Sequence, residues 1–119
     1  MTTPKLRLLV LLPVVAVLAA CSPAGQADST VSHPYVGMWV TADGHIRQEL
    51  RADGRYDEAR GTRQSAYTGS YTVVGNHIDY VDDTGFTADG TFTGDVLDHG
   101  GYVFYREGSQ AHLQASGGQ

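Results

Sequence analysis

Six polar side chains stand at alternate positions of short, strand-like segments and could together hold a small molecule. They are Gln48, Arg60, Tyr67, Tyr71, Tyr80 and Asp82. Alternate residues of a strand face the same way, and these positions share their face with apolar neighbours such as Ile46 and Ile78. Tyrosine rings supply contact area, while the other three side chains supply directed hydrogen bonds. The pattern predicts a small-ligand site built from these six residues.

The same residues also fit a purely structural interpretation. Tyrosine is common in strands, Arg60 and Asp82 would pair with each other, and Gly69 and Gly90 would relieve crowding at bends. A small enzyme is a further alternative, because an Asp–Tyr or Glu–Arg pair inside a barrel could move protons. No Ser, Cys or Lys nucleophile lies in a recognisable motif, so no catalytic residue is assigned and binding is favoured over catalysis.

Neither a metal site nor a cofactor is predicted. His45, His77 and His99 lack the paired spacing of zinc ligands, so chance explains them best. The aspartates of residues 79–83 do not follow the calcium-loop pattern, and they are typical of a solvated acidic turn.

The N-terminal segment resembles the signal peptide of a bacterial lipoprotein. Lys5 and Arg7 form a positive start, residues 8–18 are apolar, and two alanines precede Cys21. The resemblance implies that residues 1–20 are removed and that Cys21 is acylated. The acyl chains would hold the protein on the extracytoplasmic face of a membrane in the cell envelope. An ordinary secretory signal with an incidental cysteine is the alternative.

Removal of residues 1–20 would leave 99 residues with a strongly acidic composition. Six arginines then stand against 13 Asp and Glu residues, a net charge of −7, which disfavours nucleic acid as a partner. No polybasic patch follows Cys21, so the acyl chains alone would provide the membrane anchor. Cys21 is the only cysteine, which excludes an intramolecular disulfide and leaves packing to stabilise the fold.

Composition divides the mature chain into a tether, one domain and a tail. Residues 21–34 are small, polar and interrupted by proline, which predicts a flexible tether after the acylated cysteine. Residues 35–107 carry the apolar and aromatic side chains and form the predicted domain. Residues 108–119 end in Ser-Gly-Gly-Gln and are predicted to be a disordered tail.

The domain is predicted to be all-β. Apolar residues do not recur with a helical period, whereas Gly or Asn turn signals recur about every ten residues. The predicted strands are 37–41, 45–51, 55–60, 67–73, 77–82, 86–92, 96–99 and 102–106, with one longer loop at 61–66. Eight short strands joined by tight hairpins favour an antiparallel up-and-down barrel, since closure removes exposed edges. A two-sheet sandwich is the alternative.

Gly37 and Trp39 on the first strand and Arg106 at the end of the last resemble the structural Gly-x-Trp and terminal Arg of lipocalins and avidins. The longer string between them, which includes GMWVTADGHIRQEL and GNHIDYVDDTGFTADG, resembles a family of small bacterial proteins first defined on an Agrobacterium protein. The resemblance implies a streptavidin-like eight-stranded barrel of uncharacterised function, for which ligand binding is expected. It assigns no site residues.

The up-and-down order sorts residues between the two rims of the barrel. One rim collects large apolar residues with Arg106 over Trp39 and is predicted to be plugged. The other collects Arg60, Asp82 and the loop 61–66, and a ligand would enter there. A cavity of a few hundred cubic ångströms would favour a membrane-tethered binding protein or a small isomerase- or cyclase-type enzyme. A filled interior would favour a structural or interaction module of the cell envelope.

Overall fold

Eight antiparallel strands close into a barrel in chain order in the computed structural model, which describes residues 31–117. The strands are β1 Gly37–Thr41, β2 Ile46–Leu50, β3 Arg55–Arg60, β4 Arg63–Val74, β5 His77–Asp82, β6 Thr87–Thr93, β7 Val96–His99 and β8 Tyr102–Arg106. A short helix, α1 Gln110–Gly117, follows them. Pairing of β1 with β8 closes the barrel, which confirms the predicted fold and makes the sandwich alternative wrong.

Tight turns fix the hairpins, and their sequences explain why. In the first two turns Gly44 and Gly54 have positive φ values of 73° and 81°, which glycine adopts at little cost. Asp43 Oδ1 accepts the amide of His45, and Asp53 Oδ1 accepts the amide of Arg55, so each aspartate caps its own turn. These local signals place the ends of β1, β2 and β3.

The β3–β4 connection differs from the prediction. Residues 61–66 do not form a long loop, because β4 begins at Arg63 and pairs with Arg60 across a short turn. The register shifts between Glu58 and Arg60, where two steps along β3 face four steps along β4, which marks a bulge that absorbs two additional residues of β4. The hairpin therefore continues as a strand pair to the rim of the barrel.

The two ends of the barrel differ in packing. The rim that contains the start of β1 and the end of β2 is the closed end, where Trp39, Leu50, Ile78 and Phe92 are almost fully buried. Arg106 lies with its guanidinium carbon 4.7 Å from the centre of the Trp39 ring, as the sequence predicts. We call the opposite rim, at the end of β1 and the start of β2, the open end.

The segment before β1 packs on the closed end. The Val31 amide donates to the Ala52 carbonyl oxygen at 2.8 Å, and the Tyr35 ring stacks on Phe92 with ring centres 3.7 Å apart. The predicted tether 21–34 is therefore wrong at its last four residues, 31–34, because apolar contact and hydrogen bonds hold them on the domain. The remainder of the tether, the signal segment 1–20 and Cys21 lie outside the described residues.

The predicted disordered tail is also wrong over most of its length. Residues 110–117 form α1, which begins after Ser109. The Ser109 hydroxyl oxygen accepts the His112 amide at 3.1 Å, which is an N-cap that satisfies one of the free amides of the first turn. No helix within residues 31–117 is long and apolar enough to cross a membrane.

Gly69 on β4 has no room for a side chain. A Cβ at this position would lie 2.7 Å from Asp82 Cα and 2.8 Å from Tyr56 Cε1. We expect Gly69→Ala to lower the free energy of unfolding by about 1 to 3 kcal/mol, because the neighbouring strand must shift. Urea denaturation checks this, with Gly117→Ala as the control, since a Cβ there meets no atom within 4 Å. Equal stability of the two variants would contradict the close packing of β4 on β5.

Candidate functional site

A cavity of about 260 Å³ lies inside the open end of the barrel. Five of the six predicted ligand-binding residues line it, namely Gln48, Arg60, Tyr67, Tyr80 and Asp82. The cavity has the size that the sequence analysis associates with binding or catalysis rather than with a filled interior. The barrel is therefore packed at one end and hollow at the other.

A row of buried polar groups forms the inner wall of the cavity. Tyr80 Oη donates to Gln48 Oε1 at 2.7 Å, and Gln48 Nε2 donates to Glu58 Oε1 at 3.1 Å. Arg60 Nε donates to Glu58 Oε2 at 3.1 Å. Gln48, Glu58 and Tyr80 are each at most 4% exposed, so these bonds form away from bulk water. Hydrogen bonds between buried groups fix side-chain positions strongly, because an unpaired buried polar group is costly.

The strand register explains why these groups meet. Gln48 and Glu58 are directly opposite each other in the β2–β3 pair, and both face the barrel interior. Tyr80 projects from β5 on the other side of the cavity. This row of polar groups is therefore built on strands rather than on loops, which holds the groups in a defined geometry.

Arg60 spans the mouth of the cavity. Its guanidinium carbon lies 4.9 Å from the centre of the Tyr67 ring and 5.4 Å from the centre of the Tyr102 ring. Burial lowers the pKa of Arg60, but the hydrogen bond and charge of Glu58 outweigh it, so the pKa is raised on balance. The guanidinium is therefore a fixed positive charge at the mouth, with its Nη atoms free of partners among the described residues.

Asp82 lines the cavity without pairing to Arg60, so the Arg60–Asp82 pair of the structural interpretation is wrong. Asp82 Oδ1 instead accepts the amide and the hydroxyl of Thr84 and caps the β5–β6 turn. Arg60 pairs with Glu58, which lies two residues earlier on the same face of β3. Within residues 31–117 no cation forms a salt bridge with Asp82.

Tyr71 is the predicted ligand-binding residue that the structure places elsewhere. Its hydroxyl donates to the Arg51 carbonyl oxygen at 2.6 Å and contacts His33 Nε2 at 3.0 Å, both at the closed end. Alternation along β4 places Tyr67 and Tyr71 on one face, but Tyr67 lies at the mouth and Tyr71 lies four residues nearer the closed rim. The prediction for Tyr71 is therefore wrong, because the direction that a side chain faces does not tell how far along the barrel it lies.

The cavity wall also contains residues that the sequence analysis does not assign to the site. They are Tyr56, Glu58, Phe86, Thr87, Ala88, His99, Gly100, Tyr102 and Phe104. The sequence could have indicated Glu58 as a cavity residue, because it lies between two inward-facing positions at alternate spacing on β3. The sequence gives no such indication for His99, since its ring stacks on Tyr80, with centres 4.3 Å apart, over the intervening strand β6.

The hydroxyls of Tyr56 and Tyr80 inside the cavity remain protonated at neutral pH. Burial raises the pKa of Tyr56 to about 12, and the negative charges of Asp82 and Glu58 act in the same direction. Burial likewise raises the pKa of Tyr80, with Glu58 as the next cause. Tyr80 therefore acts as a hydrogen-bond donor to Gln48, and Tyr56 can donate to a ligand.

The three histidines considered as metal ligands lie apart. His99 stacks on Tyr80 in the cavity, whereas His77 faces outward, 3.2 Å from Asp79 Oδ1 and 3.6 Å from Asp89 Oδ2. His45 lies at the rim beside Gly61. Across residues 31–117, no three His, Cys, Asp or Glu side chains are grouped so that they could hold a metal ion.

His33 at the closed end makes the stability of the domain sensitive to acid. Its Nδ1 accepts the Tyr35 amide at 3.0 Å, so the neutral ring carries its proton on Nε2, which contacts Tyr71. Burial lowers the pKa of His33 below the ordinary value of 6.5. The folded protein therefore binds a second proton on the His33 ring less readily than the unfolded chain does. The folded state is fully stabilised in this respect above pH 6.5, and this stabilisation is lost as the pH falls through the pKa of the folded state.

When the pH is lowered from about 7.5 to about 5, we therefore expect a larger decrease in the free energy of unfolding for the native protein than for His33→Gln, which has no titrating ring. Urea denaturation at the two pH values checks this. Identical pH dependence of the two proteins would contradict the assigned role of His33.

Comparison with known proteins places the fold in a family. The family described as Agrobacterium tumefaciens protein Atu4866 matches residues 32–106. The solution structure of the protein Atu4866 from Agrobacterium tumefaciens is similar to this chain with a TM-score of 0.59 and 68% sequence identity. The similarity covers 65% of this chain and 99% of that one. None of the curated proteins matches. Because the family match spans the whole barrel, the chain belongs to the Atu4866 family of small β-barrel proteins.

Proposed function

We propose that this protein is a lipid-anchored binding barrel that takes a small molecule into the cavity at the open end. The observation that carries the proposal is a fixed polar row, from Tyr80 through Gln48 to Glu58 and Arg60, at the wall of an open cavity of about 260 Å³. Small-molecule sites typically combine apolar walls with a few precisely placed polar groups.

The exposed aromatic residues around the mouth support the same function. Phe86 is 78% exposed, and Tyr67 and Tyr102 are each more than 40% exposed, although all three border the cavity. Large aromatic side chains gain free energy when a ligand removes their surface from water. A bound molecule would cover part of this surface, which in the free protein contacts solvent.

The direction in which the chain enters the barrel suits an anchored binding protein. Val31 lies against the closed end, and nine residues separate it from Cys21. An acylated Cys21 would therefore hold the closed end toward the membrane, with at most about 36 Å of extended chain between them. The open end then faces the aqueous compartment, and the ligand would be a soluble molecule.

Native mass spectrometry of the full chain, purified without denaturation, tests the binding proposal. We expect a bound small molecule, or a compound from a broad thermal-shift screen that raises the Tm. Ala88 lines the cavity beside Tyr80, its partner in the β5–β6 pair, so Ala88→Trp should abolish binding by filling the mouth. Val74→Trp is the matched control, because Val74 is 77% exposed and does not line the cavity. Equal binding by both variants, or no ligand for either, would contradict the proposal.

The anchor has its own test. We expect Cys21→Ala to abolish acylation and to move the protein from the membrane fraction to the soluble fraction, since no polybasic segment follows Cys21. Cell fractionation followed by mass measurement of the mature chain checks this. If the variant stays with the membrane after a high-salt wash, Cys21 is not the anchor.

A further inference from the structure

We propose that the cavity selects a small planar organic cation, such as an aromatic ring that carries an amidinium group, rather than a neutral or anionic molecule. The inference rests on the proposed binding function and names the class of ligand. Three features of the site carry it, namely a carboxylate without a cationic partner, a tyrosine hydroxyl open to the cavity and aromatic walls that already hold one planar cation.

The charge of the cavity is negative. Glu58 and Asp82 contribute two carboxylates, whereas Arg60 is the single Lys or Arg side chain among the described residues of the wall. Arg60 is paired with Glu58, whose side chain is 5% exposed, so these two charges compensate each other. Asp82 lines the cavity, accepts the Thr84 amide and has no cationic partner within residues 31–117. A cation would supply the missing charge.

Tyr56 provides a second, independent indication of a ligand. Its side chain is 94% buried and lines the cavity. Its hydroxyl makes no hydrogen bond within the described residues, and since no fully buried side-chain polar atom there lacks a partner, this oxygen is open to the cavity. A tyrosine hydroxyl that faces the cavity and is not used within the protein is available to hydrogen-bond a ligand there. The pKa of Tyr56 is raised by burial first and then by Asp82 and Glu58, which indicates a negative potential at this hydroxyl.

The aromatic walls suit a planar cation. Arg60, itself a planar cation, lies between the rings of Tyr67 and Tyr102 and donates to Glu58. Tyr80 and Tyr56 continue the aromatic surface inward, with ring centres 5.1 Å apart in an edge-to-face arrangement. Cations are attracted to aromatic faces most strongly where water is excluded. The wall therefore already holds one guanidinium in the manner proposed for the ligand.

The dimensions of the cavity limit the ligand to a small molecule. Typical ligand pockets have volumes of about 300 to 1,000 Å³, and this cavity of about 260 Å³ lies just below that range. A single aromatic ring with one planar substituent is of suitable size. Benzamidine, benzamide and benzoate share this shape and differ in charge, so they form a matched set of probes.

Titration of the full chain with the three probes, followed by NMR chemical shifts and calorimetry, tests the inference. We expect benzamidine to bind at least about tenfold more tightly than benzamide, which corresponds to one cation–π or charge contact, and benzoate to show no saturable binding. The shifted resonances should include those of Tyr56 and Asp82.

Two isosteric variants locate the charge effect. Asp82→Asn removes the unbalanced carboxylate while its side-chain oxygen can still cap the turn to Thr84, and it should weaken benzamidine binding about tenfold. Asp89→Asn removes the same charge from the outer face, where Asp89 lies near His77, and should leave the affinity unchanged.

The outcomes separate the ligand class from the proposed function. Tighter binding of benzoate, through the free Nη atoms of Arg60, would overturn the inference while supporting a binding cavity. Equal affinity for all three probes, or equal effects of the two variants, would also overturn it. If no probe binds, the planar-cation class is wrong, and the screen with Ala88→Trp and Val74→Trp still decides whether the cavity binds any small molecule.

Discussion

Replacing Trp39 by alanine is expected to lower the free energy of unfolding by about 3 to 5 kcal/mol, the largest effect of any substitution considered for this protein. The Trp39 side chain has no exposed surface, and its ring centre lies 5.0 Å from that of Phe92. Its Nε1 donates to the Tyr35 carbonyl oxygen at 2.9 Å. The substitution would therefore leave a cavity in the closed end and free the segment before β1.

Arg106→Ala provides the comparison for Trp39→Ala. Arg106 covers the indole, pairs with Asp95 at 2.8 Å and donates to the Pro34 carbonyl oxygen at 2.7 Å. Its side chain is 29% exposed, so we expect a smaller loss of about 1 to 2 kcal/mol. Urea denaturation measures both variants. Equal and negligible losses would show that neither residue closes this end of the barrel.

The fold could be predicted from the sequence because the residues that determine each hairpin are close together in the chain. Each hairpin carries a turn signal such as Asp43-Gly44 or Asp53-Gly54, whose side chain and backbone preferences act within four residues. Once the turns are placed, the strands between them have few other arrangements, and closure follows from the need to pair the edges. The predicted bounds of β1, β3, β5, β7 and β8 therefore agree with the structure.

Features that depend on distant partners could not be predicted in this way. The β3–β4 bulge is defined by the register between Glu58 and Arg60 and their partners on β4, which no local pattern encodes. The packing of Val31 on Ala52 joins a polar segment to a distant turn. The helix at 110–117 lacks a clear apolar face and is short, so its sequence resembles a flexible tail.

The candidate site could be predicted in part for a similar reason. Alternation identifies which residues face the interior, and it correctly brings Gln48, Tyr80 and Asp82 into one cavity. Alternation does not tell how far along the barrel a side chain lies, which is why the prediction that Tyr71 binds the ligand is wrong. It also does not choose the partner of Arg60, because that choice depends on distances across and along the strands.

Replacing Arg60 by methionine is expected to lower the free energy of unfolding by about 2 to 4 kcal/mol. Removing one partner of a fully buried pair costs about 3 to 5 kcal/mol, and the cost is lower here because the Arg60 side chain is 36% exposed at the mouth of the cavity. The Glu58 side chain, 5% exposed, would keep only the hydrogen bond from Gln48. Arg55→Met is the matched control, since Arg55 and Asp83 form an exposed pair worth about 0 to 1 kcal/mol.

The charge of Glu58, rather than the lost contacts of Arg60, should account for most of this destabilisation. Adding Glu58→Gln to Arg60→Met removes the uncompensated carboxylate and keeps an oxygen that can accept the Gln48 amide. We therefore expect the double variant to recover at least about half of the lost free energy in urea denaturation. If the double variant is less stable than Arg60→Met, the guanidinium acts mainly by stacking on Tyr67 and Tyr102. A loss no larger than that of Arg55→Met would show that cavity water already solvates Glu58.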